Sequence, residues 1–189
     1  MFLLIKNIPK VLWTSDKPLN LKPKISTLFF LILGLALFGL GEGLLIVSFV
    51  GASPWTVFAQ GIALNINFSI GIITILVSIG VLLFWIPLKQ KPGIGTILNA
   101  IIIGLMIDIC IKFIPTPENY ISQIFLAIIA VLTVGFGGGI YLVANLGAGP
   151  RDGLMVGLQK KTNLPIATVR AFLEITVMTI GWYLGGTVG

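Results

Sequence analysis

The sequence predicts an all-α integral membrane protein with five transmembrane helices and two short re-entrant or interfacial helices, arranged as an inverted internal repeat. Three observations predict it. Of 189 residues, 57% are hydrophobic and only 10% charged, with a mean hydropathy of +1.09; soluble domains run about 25% charged and about 45–50% apolar. Lysine and arginine alternate in abundance from one apolar block to the next. The sequence also matches itself when displaced by 96 positions.

The apolar blocks fix the solvent. A helix needs about 20 residues to cross the roughly 30 Å hydrocarbon core of a bilayer. Five blocks have that length, at 25–50, 68–88, 94–114, 121–146 and 166–187. Two shorter segments, 54–65 and 150–160, are too short or too polar to cross alone. Each opens on a helix-start signal, Ser53-Pro54 in the first and Gly149-Pro150 in the second. Proline suits the first helical position because its missing N–H would have had no partner there. These segments either dip into the membrane or lie flat in its interface, where Trp55 would act as an aromatic anchor. Ahead of the first span, residues 1–24 form a basic segment. The apolar run at 2–5 is too short for a signal peptide, so the first span is expected to serve as an uncleaved anchor.

Charge sets the orientation. Lys6, Lys10, Lys17, Lys22 and Lys24 precede the first span, and the connection 51–67 has no basic residue. Lys89 and Lys91 follow the second span, Lys112 and Glu118 flank the next connection, and Arg151, Lys160 and Lys161 follow the fourth. With the N-terminus inside, ten of the twelve basic residues fall on the inner side, one outside, and Arg170 within a span. Cytoplasmic loops carry the excess of Lys and Arg, so the chain is expected to be a multi-pass protein of the cell (inner or plasma) membrane with a cytoplasmic N-terminus. The net charge of +6 is then a topology signal beside anionic lipid. Nucleic-acid binding is excluded, since no basic groove with stacking aromatics accompanies it.

The displacement by 96 sets the organisation. Gly39, Gly41 and Gly43 fall on Gly135, Gly137 and Gly139, and Val47 falls on Val143. Gly51-Ala52-Ser53-Pro54 falls on Gly147-Ala148-Gly149-Pro150, and Gly61 on Gly157. Eight of the 24 positions from 39 to 62 are identical. The first unit covers 25–114 and holds three spans; the second covers 121–189 and holds two. Three crossings is an odd number, so the second unit is expected upside down relative to the first, an architecture of transporters and channels.

Chemistry-bearing residues inside the spans are few. Glu42, Asp108, Arg170 and Glu174 are candidates for a substrate or ion pathway, because a charge near the bilayer centre costs about 2.5–3.5 kcal/mol on insertion scales and faces protein or water. Arg170 and Glu174, four apart, share a helix face. Either they neutralise each other and pin neighbouring helices, or Arg170 binds an anionic group with Glu174 orienting it. Glu42, flanked by Gly41 and Gly43, is placed to couple a proton or cation; Asp108 is a pathway group or merely solvated near the outer surface. Gly51, Pro54, Gly147, Pro150, Arg151 and Asp152 mark the helix breaks, where unpaired N–H groups and the positive dipole end attract anions. Arg151 and Asp152 form a cytoplasmic gate or a local pair.

The Gly-x-Gly-x-Gly runs lie within spans, without the strand that a nucleotide fingerprint needs. Gly39/Gly43, Gly135/Gly139, Gly149/Gly153/Gly157 and Gly181/Gly185/Gly189 stand four apart, the spacing of tight helix packing. The lone Cys110 excludes an intramolecular disulfide, and the absence of histidine removes the commonest general base and metal ligand. No catalytic residue, metal site or cofactor is expected, and the chain is not read as an enzyme.

The segment Asn145-Leu146-Gly147-Ala148-Gly149-Pro150-Arg151-Asp152-Gly153-Leu154 resembles the YczE/YyaS/YitT family of bacterial membrane proteins, its YczE branch above all. Val169-Arg170, Glu174 and Gly185-Gly186-Thr187-Val188-Gly189 extend the likeness, as do the stretch 39–51 and Ser53-Pro54-Trp55. The resemblance implies a multi-pass cell-membrane protein; it supplies no substrate and no catalytic residues. Family members continue past Gly-Thr-Val-Gly into one more span, so the last span is expected to be missing here. The leading expectation is a small-solute transporter or exporter with its site between two inverted halves. The alternative is an accessory protein that stabilises or assembles a partner complex. Expected partners are therefore the lipid bilayer, a small solute, and a further copy or another membrane protein across the glycine faces.

Overall fold

Residues 11–189 are described by a computed structural model and form seven helices, with no strand among the described residues. Lys6, Lys10 and the run 2–5 lie outside the described residues. The helices are α1 (Ile25–Ser48), α2 (Pro54–Ile66), α3 (Ile70–Trp85), α4 (Ile94–Phe113), α5 (Tyr120–Ala144), α6 (Pro150–Thr162) and α7 (Ile166–Tyr183). By length and composition α1, α4 and α5 can each cross a membrane, and the bent pair α2–α3, which meets at 115°, makes a fourth crossing if counted as one span. At about 1.5 Å per residue, α7 is about 27 Å long and carries Arg170 and Glu174.

The outside is apolar and the inside is partly polar, the reverse of a soluble domain. Phe29, Leu83, Phe84, Phe125, Leu132, Phe136 and Phe172 are all exposed. Thr27, Glu42, Ser48, Thr56, Thr74, Ser78 and Thr96 are buried. Hydrocarbon gives an exposed leucine nothing to flee from, while buried hydroxyls find partners among the helices. The chain belongs in a membrane.

Backbone breaks recur at a constant spacing. Helices α2 and α6 begin 96 residues apart and end 96 apart, and α3 and α7 begin 96 apart. The positive-φ residues pair in the same way: Phe49 (56°) with Asn145 (52°), Gly51 (148°) with Gly147 (115°), Asn67 (51°) with Asn163 (58°), and Lys89 (52°) with Gly185 (97°). These eight are all the positive-φ positions among the described residues. Left-handed backbone is cheap for Gly and tolerable for Asn, but unfavourable for Phe. Its appearance at Phe49, where the equivalent residue is Asn145, means the surroundings impose the turn.

Helices α1 and α5 touch backbone to backbone. A Cβ on Gly34 would lie 2.8 Å from the Gly137 carbonyl oxygen, and one on Gly41 would lie 2.8 Å from that of Ala130. Positions rise along α1 as they fall along α5, so the pair is antiparallel. A Cβ on Gly39 would meet Met106 and Ile103 of α4, and one on Gly43 would meet Cys110 and Ile107; here both rise together, so α1 and α4 are parallel. The buried core of Leu31, Leu35, Ile103, Ile107, Tyr141, Ala144 and Leu146 fills the space among these three helices. Gly135 and Gly139 differ from their counterparts Gly39 and Gly43: a Cβ on either meets nothing within 4 Å.

Adding a methyl group therefore separates the two kinds of glycine. Gly137→Ala, whose Cβ would sit 2.5 Å from the Phe38 nitrogen, is expected to cost about 1–3 kcal/mol through overpacking. Gly135→Ala is expected to be neutral or to stabilise by up to about 1 kcal/mol through helix propensity. Thermal unfolding of the two variants in detergent micelles checks both; equal losses would contradict the seam.

Candidate functional site

The starts of α2 and α6 meet beside a cavity of about 400 Å³. Its walls include Phe38 and Glu42 from α1, Thr74 and Ser78 from α3, Asn99 and Ile103 from α4, Val134, Gly138 and Tyr141 from α5, and Arg170 and Glu174 from α7. Ser53, Trp55, Gly149, Arg151 and Asp152 close it from the two breaks. Six pairs among these lie 96 positions apart: Phe38/Val134, Glu42/Gly138, Ser53/Gly149, Trp55/Arg151, Thr74/Arg170 and Ser78/Glu174. Positions 96 apart thus line one cavity. Trp55, Thr74 and Ser78 stand where Arg151, Arg170 and Glu174 stand 96 positions on, while Glu42 stands where Gly138 does.

Glu42 is 3% exposed. Its Oε2 accepts from Ser53 Oγ at 2.8 Å and from Thr56 Oγ1 at 2.6 Å. Ser53 is the residue before the first turn of α2, a position where a serine hydroxyl commonly accepts from the helix's free N–H groups. Here it makes no such cap, and the hydroxyl instead donates to the carboxylate. Charge-assisted hydrogen bonds are roughly twice as strong as neutral ones, so this is a strong tie. Helix α1 is in this way fastened to the first turn of α2.

On the other side, Asp152 lies in the first turn of α6, where the helix dipole favours a negative charge, and its Oδ2 accepts from Tyr141 OH at 2.8 Å. The Arg151 guanidinium stacks over the Trp55 ring, 5.3 Å from its centroid. Trp55 is 6% exposed, so it is a wall of the cavity and not an anchor at a membrane surface. Its Nε1–H is buried with no partner among the described residues, an omission that costs about 1–3 kcal/mol. Trp85, by contrast, donates from Nε1 to the Pro150 carbonyl at 2.9 Å.

The breaks themselves are held from α4 and from the chain's last residues. Thr96 Oγ1 donates to the Ala148 carbonyl at 2.7 Å, and the Gly95 N–H donates to the Leu146 carbonyl at 2.8 Å. A Cβ on Gly147 would lie 3.0 Å from Gly93 Cα, and one on Gly51 would lie 2.6 Å from Gly189 Cα; the two contacts are again 96 positions apart. Gly51 and Gly147 therefore make the turns but do not line the cavity.

Of the residues singled out from sequence, Glu42, Arg170, Glu174, Pro54, Arg151 and Asp152 come together at this cavity. Arg170 and Glu174 pair at 2.8 Å, the only ion pair among the described residues. Arg151 and Asp152 do not pair; each turns to a different neighbour. Asp108 stands apart, accepting from Ser69 Oγ at 2.5 Å and from the Gly71 N–H at 2.8 Å, where it satisfies the start of α3. A second cavity, of about 490 Å³, lies beside it with Gln60, Phe68 and Lys112. Sequence reading missed Thr56, Thr74, Ser78, Asn99 and Tyr141. The signal for Thr74 and Ser78 was present: the displacement by 96 sets them on Arg170 and Glu174. Among the described residues no three His, Cys, Asp or Glu side chains gather as a metal site would require.

A family described as "Family of unknown function (DUF6198)" matches residues 25–189. An uncharacterized protein of Haemophilus influenzae is 42% identical over 185 residues, covering 98% of this chain and 84% of that protein. The uncharacterized membrane protein YczE of Bacillus subtilis is 32% identical over 162 residues, covering 85% of this chain and 75% of that one. No solved structure matches.

The Glu42 anchorage can be measured as a coupling. Glu42→Gln, Thr56→Val and the double variant are expected to show an interaction of about 1.5–3 kcal/mol, the size of a hydrogen bond to a charged group. Chemical unfolding of the purified proteins in micelles reads it. Strictly additive effects would mean the bond contributes nothing.

Proposed function

The chain belongs to the DUF6198 family of unknown function, and from that premise we propose that it is a multi-pass cell-membrane protein that moves a small solute between two inverted halves. The single observation that carries this reading is the cavity at the two helix starts, lined by residue pairs 96 positions apart. Transporters built from inverted repeats bind at such a place, where discontinuous helices leave their N-termini facing the solute.

The proposed halves are residues 25–114 and 121–189, with crossings by α1, α3, α4, α5 and α7. Three directions support the inversion: α1 parallel to α4, α1 antiparallel to α5, and the equivalence of α1 with α5 at the constant spacing. Lysine placement supports a cytoplasmic N-terminus, since Lys17, Lys22, Lys24, Lys89, Lys91, Lys160 and Lys161 would then share one side, with Lys112 and Glu118 on the other. Glu42 is the proposed proton- or cation-coupling group. Arg170 with Glu174, and Arg151 with Asp152, supply the charges that meet the solute or gate its path. Asp108 is assigned to positioning α3 rather than to the pathway.

A second reading is favoured by a separate observation. Gly135 and Gly139 present the face that α1 uses to hold α4, and nothing among the described residues covers it. An accessory protein that grips a helix of a partner complex would use such a face. On this reading Gly139→Leu releases the partner while leaving the cavity intact.

Two measurements decide. With Cys110 replaced by Ala, Leu64→Cys and Lys160→Cys are equivalent positions at the far ends of α2 and α6. A membrane-impermeant maleimide is expected to reach them from opposite sides of sealed vesicles, and labelling from one side alone removes the inversion. Liposomes holding the protein and a mixed pool of small solutes are expected to lose at least one of them. Glu42→Gln is expected to slow that loss on the order of tenfold, equivalent to about one charge-assisted hydrogen bond. Retention equal to that of empty liposomes ends the transport reading.

A further inference from the structure

We infer that the solute is a small zwitterion, an amino-acid-like molecule with an ammonium group, an anionic group and an apolar remainder; the inference rests on the transport-site reading above. The charges on the cavity wall divide into those already answered and those left open. Arg170 and Glu174 answer each other at 2.8 Å. Asp152 is exposed and is met by the Tyr141 hydroxyl and by the dipole of α6. Glu42, buried with only the Ser53 and Thr56 hydroxyls for partners, and Arg151 remain. No opposite charge stands within 4 Å of either among the described residues.

The fold holds these two apart. Hydroxyls from Ser53 and Thr56 draw the Glu42 carboxylate toward the first turn of α2, while the face of Trp55 holds the Arg151 guanidinium. A carboxylate and a guanidinium on one cavity wall, left to themselves, would close on each other, because unpaired buried charge is costly. Kept open, they form a dipole that only a ligand of opposite polarity completes, ammonium to Glu42 and anion to Arg151. A simple anion leaves Glu42 unanswered in a wall with three carboxylates and two guanidiniums. A simple cation leaves Arg151 unanswered.

One further feature favours donors at the anionic end: neither α2 nor α6 has a side chain at its N-cap that caps its start. The wall also has apolar residues, Phe38, Ile103, Val134, Leu142 and Met155, beside the polar Thr74, Ser78 and Asn99. A volume of about 400 Å³ lies toward the small end of ligand sites, which run from about 300 to 1,000 Å³. That suits a molecule with one short apolar side chain.

The test uses the full chain purified in micelles and its thermal unfolding. The probes are L-leucine, L-methionine and L-phenylalanine, each beside its decarboxylated amine and its deaminated acid at equal concentration. At least one amino acid is expected to raise the Tm by about 2–4 °C while neither of its halves does so. In Glu42→Gln the acid half is expected to stabilise as well as the parent amino acid, and in Arg151→Gln the amine half; each variant's own melting curve shows that it folds. Glycerophosphoethanolamine, a zwitterionic lipid headgroup in soluble form, tells the source: its shift without one from the amino acids assigns the zwitterion to lipid. A half-molecule that stabilises the unmodified protein as well as the whole, or no shift from any zwitterion, overturns the inference. Flux of a solute of another charge class would then leave the transport reading standing. The absence of all flux defeats that reading instead.

Discussion

The backbone contact between α1 and α5 is the constraint on which the remaining geometry depends. Gly34 and Gly41 lie against Gly137 and Ala130 closely enough that a methyl group would collide with a carbonyl oxygen. Apolar burial drives little association in lipid, so packing of this kind is what holds helices together. Because the two helices run antiparallel, the breaks that follow them lie at opposite ends of the pair. The chain after each turns back along its own helix, Ser53 and Thr56 to Glu42 and Asp152 to Tyr141. Helices α2 and α6 then begin at the same place. The cavity is the space their starts leave beside that contact.

Polar groups are placed in this frame with little redundancy. Glu42 sits one short stretch before the break and reaches over it to Ser53 and Thr56. Thr96 and Gly95 at the start of α4 hold the carbonyls that the second break exposes. In hydrocarbon, each such carbonyl or carboxylate would otherwise cost several kcal/mol, so the breaks exist only where neighbouring helices supply donors. The same requirement explains Asp108, whose carboxylate accepts from the Gly71 N–H and the Ser69 hydroxyl at the start of α3. A charged residue within a span can thus answer a helix end as readily as it can meet a solute.

What the sequence revealed follows the range of the physics involved. Pro54 and Pro150 marked helix starts because proline acts on its own residue and its nearest neighbours, and α2 and α6 begin at those residues. Arg170 and Glu174 were legible as a pair because one turn of helix sets their distance. The partnership of Glu42 with Thr56 was not, since no periodicity brings residue 42 to residue 56 across a break. Nor was the role of Asp108, which depends on the close approach of Gly71 to Gly104 between α3 and α4. Trp55 suggested a surface anchor by composition alone; its true neighbour, Arg151, stands at its own equivalent position 96 residues on.

The distribution of ionisable side chains between equivalent positions is lopsided. Trp55, Thr56, Thr74 and Ser78 stand 96 positions before Arg151, Asp152, Arg170 and Glu174. Two identical halves that exchanged shapes would pass between states of equal energy, an enforced degeneracy. At the cavity, four charged groups in one half against one, Glu42, in the other lift it. On the inverted reading, the resting protein would favour one orientation of its opening, since the two orientations would no longer be equal in energy.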